Sequence, residues 1–292
     1  MNQPNGPAVW RDMTQAELDA AYNQAAYAAN RVELLNRFAS DSEAMRRRIG
    51  PPERLCYGEG ENEAIDVYGG GDSKGPINIF IHGGAWRAGR ASDYAFPAEL
   101  FVAAGVRFVL PDFDWVQDRD GDLMPIADQI RRAIAWVWHN AGQFGGDPDR
   151  LFLSAQSSGA HMAAVALTTD WALFGLPRDA IKGALLCSGL YDLEPVSLSA
   201  RSDYVSFTDE SVDALSPIRH LERISTPIVL GYGTLETPEF QRQTQEFAAV
   251  LADRGLTGEC LVAEGCNHFE ILESLANPYG LLGRAVLEQM EI

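Results

Sequence analysis

Ser157 lies in a run of small residues, 155–159, between an apolar segment typical of a strand and an apolar segment typical of a helix. Strand, sharp turn and helix in this order place a serine hydroxyl at an exposed apex, where it can act as a nucleophile. The apex is strained, so the residues two positions away must be small. Gly159 fits this requirement, and Ala155 stands where glycine is usual. The segment alone also fits an ordinary turn, so the prediction depends on partner residues elsewhere.

His268 is the histidine best placed to activate Ser157, because a serine hydroxyl is a weak nucleophile without an adjacent base. The chain has five histidines, which are His82, His139, His161, His220 and His268. Around a turn of this kind, the acid follows the serine along the chain, and the histidine comes last. His268 follows the last predicted strand, in the type of loop where parallel sheets place their sites, whereas His220 comes too early. We therefore predict that His268 is the base.

The acid that orients the histidine is expected in the loop after the strand predicted at 228–231. Glu236 lies in that loop, and Glu239 follows a proline that indicates a helix start. Asp192, in an earlier loop, is the second candidate. The acid holds the imidazole in one tautomer and stabilises the imidazolium as it forms, which a glutamate can do as well as the more usual aspartate.

A third requirement is a set of N–H donors for the negative charge that develops on a carbonyl oxygen during attack. Gly83 and Gly84 follow a buried strand and can expose backbone N–H groups without side chains in the way. The N–H of Ser158, next to the nucleophile, is the second arm of such a site. The Gly pair alone also fits a turn at a strand end, but its order before the serine, the carboxylate loop and the late histidine favours the catalytic interpretation.

The elements that must position these residues alternate along the chain. Strands are predicted near 54–57, 64–68, 77–81, 107–111, 151–153, 181–187, 228–231 and 259–263, and helices near 94–104, 125–143, from 159, 238–254 and after 270. Short apolar strands that alternate with helices indicate an α/β fold with a mostly parallel, eight-stranded sheet and helices on both faces. Without repeats or linkers, the chain is predicted to be a single domain over 1–292.

The first 50 residues precede this core as a helical extension. Thr14 and Glu17 have the spacing of a capping box, and Pro51 and Pro52 end the helical pattern. The extension could pack on the outside of the core or lie over the active site as a lid, and we favour the lid.

Composition limits the partners. The net charge of −18 argues against nucleic acid and against anionic membranes as partners, and no apolar run approaches a membrane span. The four cysteines match no zinc or redox spacing, and the first residues match no secretory signal, so we expect a cytoplasmic protein without a bound metal. A homodimer is compatible with the sequence.

Further motifs bring the chain close to a known family. They are 82–86 (HGGAW), 146–150 (GDPDR), 157–161 (SSGAH) and 267–269 (NHF). With them the chain resembles the α/β-hydrolase fold, in its hormone-sensitive-lipase-like branch. Within that branch it is similar to the kynurenine formamidase (arylformamidase) group, through 10–13, 188–195, 216–218 and 236–243. The resemblance covers most of the chain from about residue 10.

The resemblance implies Ser157 as nucleophile, Glu236 as acid and His268 as base. It also implies Gly83, Gly84 and Ser158 as the oxyanion donors. Three residues depart from the family pattern, namely Ala155, Gln156 and Glu236. None of these departures removes a reacting group, so they bear on the substrate more than on the reaction.

We therefore expect a serine hydrolase that cleaves a small amide or ester through an acyl-enzyme and needs no cofactor. The resemblance points to an aryl formamide such as N-formylkynurenine. Trp86 follows the strand before the glycine pair and is expected to form a wall of the acyl or aryl pocket, with Tyr204, Phe207 or Trp115 opposite it. Of these we predict Trp86 and Tyr204 as substrate-binding residues. Such a substrate carries a carboxylate, and no arginine can be assigned to the pocket from the sequence. The alternatives are a carboxylesterase for short-acyl or aryl esters and a non-catalytic binding homologue.

Overall fold

An eight-stranded sheet forms the centre of the computed structural model, which describes residues 6–71, 74–256 and 260–292. Its strands in chain order are β1 (Glu53–Cys56), β2 (Ala64–Tyr68), β3 (Gly75–Ile81), β4 (Arg107–Pro111), β5 (Gly146–Gln156), β6 (Ile181–Cys187), β7 (Ile228–Gly233) and β8 (Cys260–Ala263). Across the sheet they lie in the order β8-β7-β6-β5-β3-β4-β2-β1. The pairs β1–β2 and β2–β4 are antiparallel and the rest are parallel, which confirms the predicted mostly parallel sheet.

The helices are α1 (Gln15–Ala21), α2 (Gln24–Tyr27), α3 (Arg31–Ile49), α4 (Ala98–Ala103), α5 (Met124–Asn140), α6 (Ser158–Leu167), α7 (Glu194–Ser197), α8 (Asp209–Ala214), α9 (Pro238–Ala252), α10 (Glu270–Glu273) and α11 (Leu281–Gln289). Short 3₁₀ turns lie between them, and a small antiparallel hairpin, Ala8–Trp10 with Met13–Thr14, precedes α1. Within the described ranges, no helix has the length and apolar character needed to cross a membrane.

Helices cover both faces of the sheet, as predicted. Successive residues of a strand point to opposite faces, and β3 shows this division directly. Ile79 and Ile81 belong to a core that includes residues of α5, α6 and α9, whereas Phe80 belongs to a core that includes residues of α3, α4 and α11. The central strands are therefore apolar on both sides, which is why their sequences are nearly continuous apolar runs.

Several predicted elements differ at their ends, and β5, predicted at 151–153, extends over Gly146–Gln156. The helix expected from residue 94 begins at Ala98, after Pro97, because a proline fits the first turn of a helix and not its interior. The last strand begins at Cys260 among the described residues, and the predicted first residue, Glu259, lies outside them.

The N-terminal extension begins its first helix and ends its last one where the sequence predicts. The backbone N–H of Thr14 donates to Glu17 Oε2 over 2.9 Å, and α1 starts at the next residue. Helix α2 starts with Asn23, whose side chain accepts from the N–H of Ala25. Helix α3 ends at Ile49, just before Gly50 and the two prolines. These three helices reach the end of the sheet where the carboxyl ends of the parallel strands lie.

Candidate active site

Ser157 lies at a sharp turn between β5 and α6. Its backbone has φ of 59° and ψ of −127°, a conformation that costs energy for a residue with a side chain. The turn holds α6 against β3 so closely that a Cβ on Gly159 would lie 2.1 Å from the carbonyl oxygen of Ile81. Only glycine fits there, which explains the small residue after the serine. Ala155, on the other side, is buried in the strand, and its methyl group belongs to the core.

A chain of hydrogen bonds joins Ser157, His268 and Glu236. The Oγ of Ser157 lies 2.8 Å from His268 Nε2, and His268 Nδ1 lies 2.7 Å from Glu236 Oε2. Because a carboxylate can only accept, Nδ1 carries the imidazole proton, and Nε2 is left free to accept the serine proton. The three side chains are nearly buried, with residue exposures of 8%, 3% and 2%. The structure thus brings together the three residues that the sequence analysis grouped.

Glu236 is fixed by donors on both carboxylate oxygens. Oε1 accepts from Ser188 Oγ at 2.6 Å and from the N–H of Gly233 at 2.7 Å. Oε2 accepts from Gln24 Nε2 at 3.2 Å in addition to His268. A carboxylate with these partners can be buried and still hold the imidazole in one orientation.

The other acidic candidates lie elsewhere. The carboxylate of Asp192 accepts from the N–H of Glu194 and faces Arg219 at 3.6 Å. Glu239 begins α9 as predicted, and its carboxylate is bound by Arg242. Of the three acids considered for the histidine, Glu236 is therefore the one that lies beside His268.

The loop after β3 approaches the nucleophile in an unusual backbone conformation. Gly84, Ala85 and Trp86 have positive φ angles of 128°, 55° and 61°, and the N–H of Trp86 donates to Ser158 Oγ at 3.2 Å. Gly84 and Ala85 line the cavity that contains Ser157. Gly83 lies beside Gln156, where a Cβ would come within 2.4 Å of the Gln156 side-chain oxygen.

The cavity above Ser157 has a volume of about 1020 Å³, which is in the range of small-molecule sites. Its walls come from the N-terminal helices, the loop after β3, the segment 199–204 and the loop that carries His268. The members from the N-terminal helices include Asp19, Tyr22, Gln24, Arg31, Leu35 and Phe38. The extension therefore supplies part of the cavity wall.

The two predicted substrate-binding residues have different positions. Tyr204 lines the cavity, with Arg87 over its ring at 4.1 Å. Trp86 does not line the cavity, and this is a correction, because its 2% exposed indole fills the core beneath the loop. Its Nε1 donates to His161 Nδ1 at 3.2 Å, and His161 Nε2 donates to the Leu215 carbonyl at 2.8 Å. Burial lowers the pKa of His161 to about 4, so this imidazole is neutral and can accept from the indole.

Two residues at the cavity, Gln24 and Arg201, were not predicted from the sequence. Gln24 contacts Glu236 from α2, and Arg201 lies in the part of the cavity wall formed by 199–204. Neither residue belongs to a motif. Gln24 is the buried residue of α2, at 7% exposed, and the structure rather than the sequence shows this burial.

Comparison with known proteins agrees with this geometry. The family model described as BD-FAE matches residues 65–174, which include the loop after β3 and the serine turn. Kynurenine formamidase from Danio rerio is 29% identical to this chain over 96% of the chain and 98% of that protein. Esterase LipQ from Mycobacterium tuberculosis is 28% identical over 72% of the chain and 55% of that protein. A crystal structure from Silicibacter sp. TM1040 superposes with a TM-score of 0.78, at 24% identity, over 90% of this chain and 96% of that one.

The sheet order, the serine turn and these relatives define a serine hydrolase of the α/β-hydrolase class. Within that class, the chain is similar to kynurenine formamidases over almost its whole length.

Proposed function

We propose that this protein cleaves an aryl formamide through an acyl-enzyme, with Ser157 as nucleophile, His268 as base and Glu236 as the orienting acid. The observation that carries the proposal is the hydrogen-bonded chain from Ser157 Oγ through His268 to Glu236 at the floor of the cavity. The similarity to kynurenine formamidases supplies the substrate class, which is N-formylkynurenine or a related aryl formamide.

The proposed reaction has two halves. Ser157 Oγ attacks the formyl carbon while its proton moves to His268 Nε2, and the negative charge forms on the former carbonyl oxygen. Collapse of this intermediate breaks the C–N bond, and His268 returns the proton to the leaving aryl amine. Water then attacks the formyl-enzyme with His268 again as base, and formate leaves as Ser157 regains its proton.

Backbone N–H groups are proposed to stabilise the oxyanion. Gly83, Gly84 and Ser158 are the donors that the sequence implies, and the cavity-lining position of Gly84 supports its inclusion. Ala85 also lines the cavity and also has a positive φ angle, so we include its N–H among the proposed oxyanion donors. The loss of one such donor costs about 3 kcal/mol in the transition state.

An ester substrate is the second candidate. The resemblance to an esterase over 72% of the chain favours it, and the same serine chemistry cleaves both bonds. We also propose that α1–α3 act as the cover of this site, since they supply one wall of the cavity.

The decisive experiment compares kcat/KM for N-formylkynurenine, p-nitrophenyl acetate and p-nitrophenyl butyrate. We expect the formamide to be the best substrate, and Ser157→Ala to lower every rate by about three orders of magnitude or more. Ser40→Ala, which changes an exposed serine of α3, is the matched control and should retain the wild-type rates. Turnover of the esters alone would replace the formamidase proposal by the esterase, and full activity of Ser157→Ala would overturn the mechanism.

A further inference from the structure

Arg201 is a cation in the cavity wall that is held only by neutral groups. It lies in the 3₁₀ turn Ala200–Asp203. Its Nη1 donates to the hydroxyl of Tyr204 at 2.7 Å, and its Nη2 donates to the carbonyl of Tyr22 at 3.1 Å. Its Nε is buried without a hydrogen-bond acceptor among the described residues. Each Nη nitrogen has a second hydrogen, so the guanidinium retains donor capacity.

Arg201 lacks a carboxylate partner in a chain rich in carboxylates. Acidic residues outnumber lysine and arginine by 41 to 23, and several partly buried arginines are paired with them. Arg54 binds Asp66 and Asp112, and Arg242 binds Glu239 and Glu246. In the part of the chain that the structure describes, no carboxylate lies within 4.0 Å of Arg201. A partly buried guanidinium without a counterion leaves electrostatic stabilisation unused, which an anionic ligand can supply.

The distance between Arg201 and His268 indicates how long a ligand must be to reach both residues. The ring of Phe240 lies 5.9 Å from the Arg201 guanidinium carbon and 5.0 Å from the His268 ring. One aromatic ring thus separates the cation from the catalytic chain. A molecule with its reacting carbonyl at Ser157 can reach Arg201 with a carboxylate attached beyond an aryl group.

We propose that Arg201 binds a carboxylate of the substrate and so selects acidic aryl amides over neutral ones. The proposal rests on the proposed function, since it assigns a specificity residue to the same site. It supplies the arginine that could not be identified from the sequence. Tyr22 and Tyr204 hold the guanidinium in place, and Tyr22 comes from the end of α1 in the N-terminal extension.

The test uses two formamides that differ in the acidic side chain. N-formylkynurenine carries the carboxylate, and 2-formamidoacetophenone keeps the aryl formamide and the neighbouring ketone without it. We expect Arg201→Met to lower kcat/KM for N-formylkynurenine by about 10- to 100-fold, mainly through KM, and to change the neutral substrate by less than about threefold. Arg201→Lys keeps the positive charge but loses the planar group that donates two parallel hydrogen bonds. Its kcat/KM for N-formylkynurenine should lie between the values of wild type and Arg201→Met.

Arg178→Met is the matched control, because Arg178 is exposed, precedes β6 and carries the same charge. It should leave both rates unchanged. A parallel loss for both formamides in Arg201→Met would show that Arg201 only supports Tyr22 and Tyr204, and an unchanged rate for both would show that it binds nothing. Either result overturns the proposal.

A second measurement separates this proposal from the proposed function. The anion 3-benzoylpropionate, an aryl ketone with a carboxylate and no formamide, is tested as an inhibitor of p-nitrophenyl acetate hydrolysis. We expect its inhibition constant to rise about tenfold in Arg201→Met. If the wild-type protein cleaves neither formamide, the proposed formamidase function fails. A tenfold higher inhibition constant in Arg201→Met would still support the anion site in that case. An equal inhibition constant in wild type and Arg201→Met would overturn the anion site.

Discussion

Glu236 shows how a glutamate can stand where an aspartate is more usual. Its carboxylate accepts from Ser188, Gly233, Gln24 and His268, which together occupy both oxygens. The sequence identified the loop and favoured Glu236 within it, but it could not show what fixes the carboxylate. That depends on Ser188 and Gln24, which lie 48 and 212 residues away in the chain, and no local pattern contains such contacts.

The buried His161 predicts a pH dependence of stability. Burial lowers the pKa of His161 from 6.5 to about 4, so between these values the unfolded chain binds more protons than the folded one. The free energy of unfolding therefore falls as the pH drops from about 6.5 to about 4, by about 3 kcal/mol at most, and this contribution is constant above that range. Urea unfolding at both ends of the range measures the loss.

His161→Gln keeps a donor and an acceptor for Leu215 and Trp86 but does not titrate. We expect the variant to lose much of this acid dependence. His139→Gln changes an exposed histidine and should keep the wild-type dependence. Identical slopes for wild type and His161→Gln would contradict the prediction.

At the scale of elements, α2 contributes to the catalytic chain from outside the core. Gln24 donates to Glu236 Oε2, and its side-chain oxygen accepts from the N–H of Thr237 at 3.3 Å. The side chain thus fixes both the acid and the loop that carries it. The start of α1 could be read from Thr14 and Glu17, because a capping box is a local signal, whereas the docking of α2 on this loop depends on distant residues.

We predict that Gln24 is a positioning residue for the acid. Gln24→Leu removes both hydrogen bonds and should lower kcat by about 10-fold, with little change in KM, because only the orientation of Glu236 and His268 is affected. Steady-state kinetics with the best substrate tests this. Gln15→Leu is the control, because it removes the hydrogen bonds that the Gln15 side chain donates to Asp19 and to the Leu198 carbonyl. A rise in KM with unchanged kcat would instead indicate a role in the cavity wall.

At the scale of the whole molecule, the sheet was predictable and the cavity was not. Strands such as β3 and β6 are short apolar runs between turn residues, and the order of serine, acid and histidine determines where each loop must lie. Arg201 and Tyr204 lie in a loop with no periodic pattern, so their position depends on packing alone. Large residues were also ambiguous, since Trp86 fills the core and Tyr204 lines the cavity.

The net charge of −18 leads to a prediction for the whole molecule. Repulsion among the excess carboxylates opposes the compact state, and salt screens it. We expect the melting temperature to rise by a few degrees between about 20 and about 300 mM sodium chloride. Choline chloride should raise the melting temperature by a similar amount if the screening of charge repulsion is the cause. A falling melting temperature in both salts would mean that the surface ion pairs outweigh the repulsion.

The N-terminal helices are attached to partners from the far end of the chain. Tyr22 donates to Glu239, 217 residues later, and Arg37 pairs with Glu273, 236 residues later. A ribosome therefore releases α1 and the start of α3 long before these two anchors exist. The second half of α3 can dock earlier, because Phe38 stacks on Phe96 and Arg46 donates to the Ser92 carbonyl. A nascent chain that stops before His268 lacks both the proposed base and the Glu273 anchor of Arg37, so the proposed hydrolysis requires synthesis past these residues.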